Sequence, residues 1–182
     1  MNRRYEKVVE FLKMRKVNFR NYLDIVYPCI DECFKGKSGI YGEVQLEILK
    51  KYPYPALLLK HREETVTKTA VKKTNHNRHF VEKIVHKMYE RAKHCYSGAD
   101  PANYEVIVFP AVIEELQDQL TKCEVILKEL ICEAEKVLYF ECVASILEIG
   151  KNLAARLIGS FDPFNGIHLP YMASGYVWIN SR

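Results

Sequence analysis

Residues 113–137, IEELQDQLTKCEVILKELICEAEKV, decide how the rest of the chain is read. Ile113, Leu116, Leu120, Cys123, Leu127, Leu130, Ala134 and Val137 step alternately by three and four, a heptad seam held over more than three repeats. Glu114, Glu115, Glu124, Glu129, Glu133 and Glu135 surround the seam. The pattern predicts a long helix over about 101–142, with Asp100 as N-cap and Pro101 as first helical residue after the turn at 97–101. Such a helix leaves an apolar stripe uncovered, so it must pair, either with another helix of the chain or with a second copy.

The N-terminal segment is the partner favoured by charge. Tyr5, Val8, Leu12, Phe19, Tyr22 and Val26 recur at helical steps, and Arg3, Arg4, Lys7, Lys13 and Arg20 crowd the other face. Pro28 ends this helix. A shorter helix is expected around 42–51, and Pro53 with Pro55 force a corner before Leu57, Leu58 and Leu59.

Charge is distributed unevenly. The 182 residues sum to a formal charge of +4, with 48% apolar and 27% charged residues, which excludes disordered, collagenous and low-complexity classes. Residues 1–109 hold 21 basic and 13 acidic side chains, whereas residues 110–182 hold 6 and 10. The excess of cations peaks over 60–94, where His61, His76, His79, His86 and His94 are added. Phe80, Ile84, Met88, Ala92 and Cys95 form an apolar stripe there, leaving Arg78, Lys83, Lys87 and Arg91 near the opposite face. That arrangement suits a helix docked on a core with cations turned outward, either as a nucleic-acid surface or as an ordinary solvated face.

The six cysteines, Cys29, Cys33, Cys95, Cys123, Cys132 and Cys142, show no CxxC spacing and read as buried thiols of a reducing compartment. No signal-peptide core or membrane span is apparent, so a soluble cytoplasmic protein is expected. His76 and His79 lack the further ligands of a metal site, Cys95 beside His94 faces the wrong way for a nucleophile and base pair, and no glycine-rich phosphate loop occurs. The segment 145–159, SILEIGKNLAARLIG, reads as a hairpin joining two helices, with Gly150 and Lys151 at the start of the second. Exposed N–H groups there could hold a phosphate, and the plainer reading is a helix turn packed through Leu153 and Leu157.

The order of several segments resembles transposases of the insertion-sequence one-ten family over nearly the whole chain. They are NFRNYLDIVYPCIDECFKGKSG, the proline-broken KKYPYPALLL, the basic helix, SGADPAN, the acidic heptad helix and SILEIGKNLAARLIG. The closing GIHLPYMASGY resembles the late Gly-Ile-Asp and Ser-Gly motif of that family, with His168 in place of the aspartate. By that resemblance Ser174 corresponds to the nucleophilic serine. The family's N-terminal ribonuclease-H-like domain carries four acidic residues that bind a divalent metal such as magnesium, and this chain is expected to lack it.

The resulting expectation is a mainly α chain. Residues 1–142 would be a helical coiled-coil region, and residues 143–182 a partial C-terminal domain with the hairpin and the Ser-Gly motif. The resemblance implies a DNA transposase or recombinase, inactive alone. It would bind DNA and a structured guide RNA through Lys72, Lys73, Arg78, Lys83, Lys87, Arg91, Gly150 and Lys151, and self-associate through the heptad helix. No metal ligands are assigned within the chain. The alternative is a free-standing helical interaction protein with no nucleic-acid function.

Overall fold

The computed structural model describes residues 2–28, 30–34, 39–96, 100–137, 140–146 and 149–160. Ser174, Gly166 and His168 lie outside the described residues, as do Leu147 and Glu148 of the expected hairpin. The described chain is mainly helical, without a strand. Helices α1 (Asn2–Val26), α2 (Glu43–Lys51), α3 (Pro55–Leu59), α4 (Glu63–Lys73) and α5 (Arg78–Lys93) are followed by α6 (Tyr104–Ala134), α7 (Phe140–Ala144) and α8 (Lys151–Ser160). Two short 3-10 turns, Ile30–Cys33 and Gly39–Tyr41, link α1 to α2. Two compact units result, Arg4–Val125, and Ile126–Arg182 together with Met1–Arg3.

Within Arg4–Val125 the core is built by one face of each helix. Phe19, Leu23 and Val26 of α1 are buried with Leu46, Ile48 and Leu49 of α2, Leu58 of α3, Val66 of α4, and Phe109, Ile113 and Leu116 of α6. The Phe19 ring stacks on Phe109 at a centroid distance of 5.6 Å and meets Tyr41 at 5.7 Å. Arg15 pairs with Glu115, and the Gln119 amide and Cys123 thiol both donate to the Val8 carbonyl, at 3.0 and 3.6 Å. The contacts descend α1 as they climb α6, so the two helices run antiparallel over this stretch. Lys50 holds Glu114 at 2.7 Å, so two carboxylates flanking the seam are neutralised inside the chain.

Local chemistry explains the starts of α3 and α5. Pro55 occupies the first position of α3, where its missing N–H is no loss. The Asn77 side chain accepts from the His79 N–H at 2.9 Å and caps α5. Gly39 sits at φ +52°, a left-handed conformation that costs glycine little, and its carbonyl accepts from Gln45 Nε2 at 3.2 Å.

Several expectations need correction. Asp100 does accept from the Ala102 N–H at 2.9 Å, but that closes only a turn, and α6 begins at Tyr104 behind Asn103, whose carbonyl accepts the Val106 and Ile107 N–H groups. Pro110 lies inside α6 and removes the N–H that would bond the Val106 carbonyl, an interruption that the heptad pattern, starting at Ile113, does not register. The helix ends at Ala134, and Val137, the last seam position, is exposed. On α5 the buried face is Val81, Ile84, Val85, Met88, Tyr89 and Ala92; Phe80 is turned outward, 48% exposed, against His76. Of the described cysteines only Cys123 is buried, while Cys132 and Cys142 are exposed.

In the second unit α7 and α8 pack against each other. Phe140 of α7 is buried, and so are Ala154 and Ala155 of α8, whereas Leu153 and Leu157 are exposed. The face of α8 that packs is therefore the small-residue face, one step round the helix from the leucines expected there.

The buried Tyr27 hydroxyl has no hydrogen-bond partner among the described residues, with the side chain fully buried beside Cys33, Cys95 and Tyr89. A desolvated hydroxyl without a partner costs about 1–3 kcal/mol. Tyr27→Phe is expected to leave the fold intact and raise the urea midpoint; a clear fall would show that the hydroxyl is satisfied in solution.

Candidate nucleic-acid interface

The basic segment folds as the hairpin of α4 and α5. Helix α4 stops at Thr74, whose buried hydroxyl donates back to the Ala70 carbonyl at 3.0 Å, and Asn77 starts α5 three residues later. Burial of Val81, Ile84, Val85, Met88 and Tyr89 turns the opposite side of α5 to solvent. Lys83 and Lys87, four residues apart, then share one exposed stripe with His79. Lys72 and Lys73 are exposed in the last turn of α4, where a cation is also favoured by the helix dipole.

The eight residues expected to contact nucleic acid fall into distinct groups. Lys72, Lys73, Lys83 and Lys87 make no ion pair among the described residues, so their charges face solvent uncompensated. Arg78 is bound to Glu82, Nε to Oε1 at 2.7 Å, which raises its guanidinium pKa first through that hydrogen bond. Arg91 Nη2 holds Glu32 Oε2 at 2.8 Å.

Gly150 and Lys151 belong to the other unit. The Gly150 carbonyl accepts the Leu153 and Ala154 N–H groups and so opens α8, but a Cβ at this position would meet nothing within 4 Å. No steric demand in the described structure requires glycine there. Lys151 Nζ binds Glu135 Oε1 at 3.0 Å, and that bond pushes its ammonium pKa up.

An open cleft of about 490 Å³ lies elsewhere on the first unit, lined by Lys16, Tyr41, Glu43, Glu47, Gln117 and Glu124 among others. Its chemistry is acidic: Glu47 accepts from Gln117 at 2.8 Å, Glu43 faces His76 at 3.2 Å, and Lys16 sits 4.6 Å above the Tyr41 ring. Three carboxylates at the rim disfavour a phosphate there.

The magnesium implied by the family resemblance requires a set of four carboxylates, and the one grouping of candidate ligands found among the described residues is Glu63, His86 and Glu90. One imidazole and two carboxylates do not make that hard oxygen set. Sequence reasoning missed this group. His86 and Glu90 are spaced i, i+4 on α5 and were legible as a pair, but Glu63 joins them only through the packing of α4 on α5.

Compared with known proteins, the chain matches no family model, no curated protein and no solved structure. No helix among the described residues is long and apolar enough to cross a membrane.

Proposed function

We propose that the α4–α5 hairpin is a nucleic-acid-binding surface, and that the chain derives from a transposase of the insertion-sequence one-ten family. The observation that supports the first part is the row of uncompensated cations, Lys83 and Lys87 on one stripe of α5 with Lys72 and Lys73 at the end of α4. Exposed ammonium groups without carboxylate partners release bound counterions from a phosphate backbone on contact, the main source of sequence-independent affinity. The family reading rests on the order of segments and on the GIHLPYMASGY motif, and Ser174 is its proposed nucleophile.

The test is a titration of duplex DNA and of structured RNA with the whole chain across a range of salt. Each lysine that touches a phosphate contributes about 0.9 to the slope of log affinity against log salt on B-form DNA. Replacing Lys72, Lys73, Lys83 and Lys87 together by Ala is expected to flatten that slope by up to about 3.6. Arg78→Ala is expected to change it by less than the about 0.9 of one phosphate-touching lysine, since Glu82 shares that guanidinium. An unchanged slope in the four-lysine variant overturns the surface.

A second reading, a helical interaction protein without nucleic-acid function, is favoured by exposed Phe11, Met14 and Val17 on α1. It predicts no saturable nucleic-acid binding at any salt and a dimer in sedimentation that dissociates in a Phe11→Asp variant.

A further inference from the structure

We infer that Glu63, His86 and Glu90 form a divalent-metal site that clips α4 to α5 and takes zinc or a similar borderline cation. This rests on side-chain geometry and is independent of the nucleic-acid reading.

His86 and Glu90 lie one turn apart on the same side of α5, the spacing at which two side chains of a helix can chelate one ion. Glu63 enters from the first turn of α4. One ligand atom from each of the three lies within 4.8 Å of the other two. The separation of His86 Nδ1 from Glu63 Oε2 is 3.4 Å. That is long for a hydrogen bond between nitrogen and oxygen. It matches the edge of a tetrahedron, about 3.3 Å, whose nitrogen and oxygen corners each lie about 2.05 Å from a central ion.

The third corner has to be freed. The Glu90 carboxylate holds the Lys93 ammonium at 2.6 Å, a contact that a metal at this corner would replace. Both side chains are about half exposed, so the exchange of Lys93 for a metal needs only a change of exposed rotamers. His86 and Glu90 also line a shallow groove of about 390 Å³ with Cys33, Lys87 and Arg91, which leaves room for an ion that keeps a water. Of the cationic neighbours, Arg91 is neutralised by Glu32, while Lys87 opposes the metal charge and lowers the affinity.

The donor set selects the metal. A single imidazole with two carboxylates suits zinc, cobalt or manganese, whereas magnesium prefers an all-oxygen octahedron with several waters. Three protein ligands and an open fourth position describe a site that can exchange solvent rather than a closed structural one.

The experiment uses the full chain with zinc, cobalt and magnesium chlorides, following thermal unfolding, calorimetric binding and the cobalt visible spectrum. Zinc is expected to bind one per chain and raise the melting temperature, magnesium to do neither. Cobalt should give d–d bands without the near-ultraviolet thiolate band that a cysteine site would add. His86→Gln and Glu63→Gln, both at exposed side chains, should weaken zinc by at least about tenfold while keeping the helical circular dichroism. Lys93→Ala, which releases Glu90, should tighten binding. Equal zinc affinity in the wild type and His86→Gln, a dominant thiolate band, or no saturable zinc binding by the wild type overturns the site.

Discussion

Phe19→Ala is expected to lower the melting temperature by roughly 6–20 °C, a loss carried by one side chain. Phe19 is fully buried and touches two aromatic rings, Phe109 of α6 and Tyr41 beside α2, so it joins three parts of the core. Truncating a buried Phe to Ala removes its transfer free energy and leaves a cavity, together about 3–5 kcal/mol. In a chain of this size each kcal/mol shifts the midpoint by about 2–4 °C. Phe80→Ala is the control. Its ring is 48% exposed and meets only His76 among the aromatic contacts, so a loss within about 1 kcal/mol is expected. Urea midpoints of the two variants decide the matter: equal losses would place Phe80 in the core and undo the assignment of Val81, Val85 and Tyr89 to the buried face of α5.

The second large effect appears in alkali. The Tyr89 hydroxyl donates towards the His61 carbonyl at 2.6 Å and the Leu58 carbonyl at 3.0 Å, tying α5 to the end of α3. Burial, then Glu63 and then Tyr52 push its pKa up to about 12. The unfolded phenol ionises near pH 10. The folded state therefore retains a proton that the unfolded state has lost, and stability falls as pH rises from about 10 to 12. The gap between those two pKa values corresponds to roughly 3 kcal/mol lost from this group alone. Tyr27, raised further by burial, adds a loss of the same sign. At neutral pH, Tyr89→Phe is expected to be less stable than the wild type by about 1–2 kcal/mol through the lost hydrogen bond. The difference should close near pH 11 and reverse towards pH 12, because the variant has no phenol to ionise at that site. A difference that stays constant from pH 8 to pH 12 would show that Tyr89 ionises normally in the folded chain.

Both predictions depend on side chains that periodicity alone handled unequally. In α1 the seam through Phe19, Tyr22 and Val26 was legible because helical spacing with a proline stop at Pro28 leaves little choice of face. In α5 helical spacing points to Phe80, Ile84, Met88 and Ala92; the last three are buried, while Phe80 is turned out and Val81, Val85 and Tyr89 complete the buried face. A helix rich in apolar residues offers two overlapping stripes, and the hydrogen bonds of Tyr89 to α3 are tertiary facts that select between them. Pro110 shows the opposite case, a residue with a clear local rule against it that the packing of Phe109 and Ile113 overrides.

For the candidate site, the lysines at 72, 73, 83 and 87 were visible as cations in sequence, yet their lack of carboxylate partners was not. Glu82 and Glu32 sit at sequence separations of 4 and 59 from Arg78 and Arg91, so the nearer pairing could have been read and the farther one could not. The same holds for Glu63, which is 23 residues from His86.

The sequence by itself determined the helical class, since three- and four-residue periodicity admits no other regular structure. It also determined the long α6 and the concentration of cations around α4 and α5. Only the tertiary structure decided which stripe of each helix is buried, which charges neutralise each other, and which imidazole meets which carboxylates. Periodicity is a property of neighbours along the chain, whereas burial and ion pairing arise from residues brought together by packing across helices.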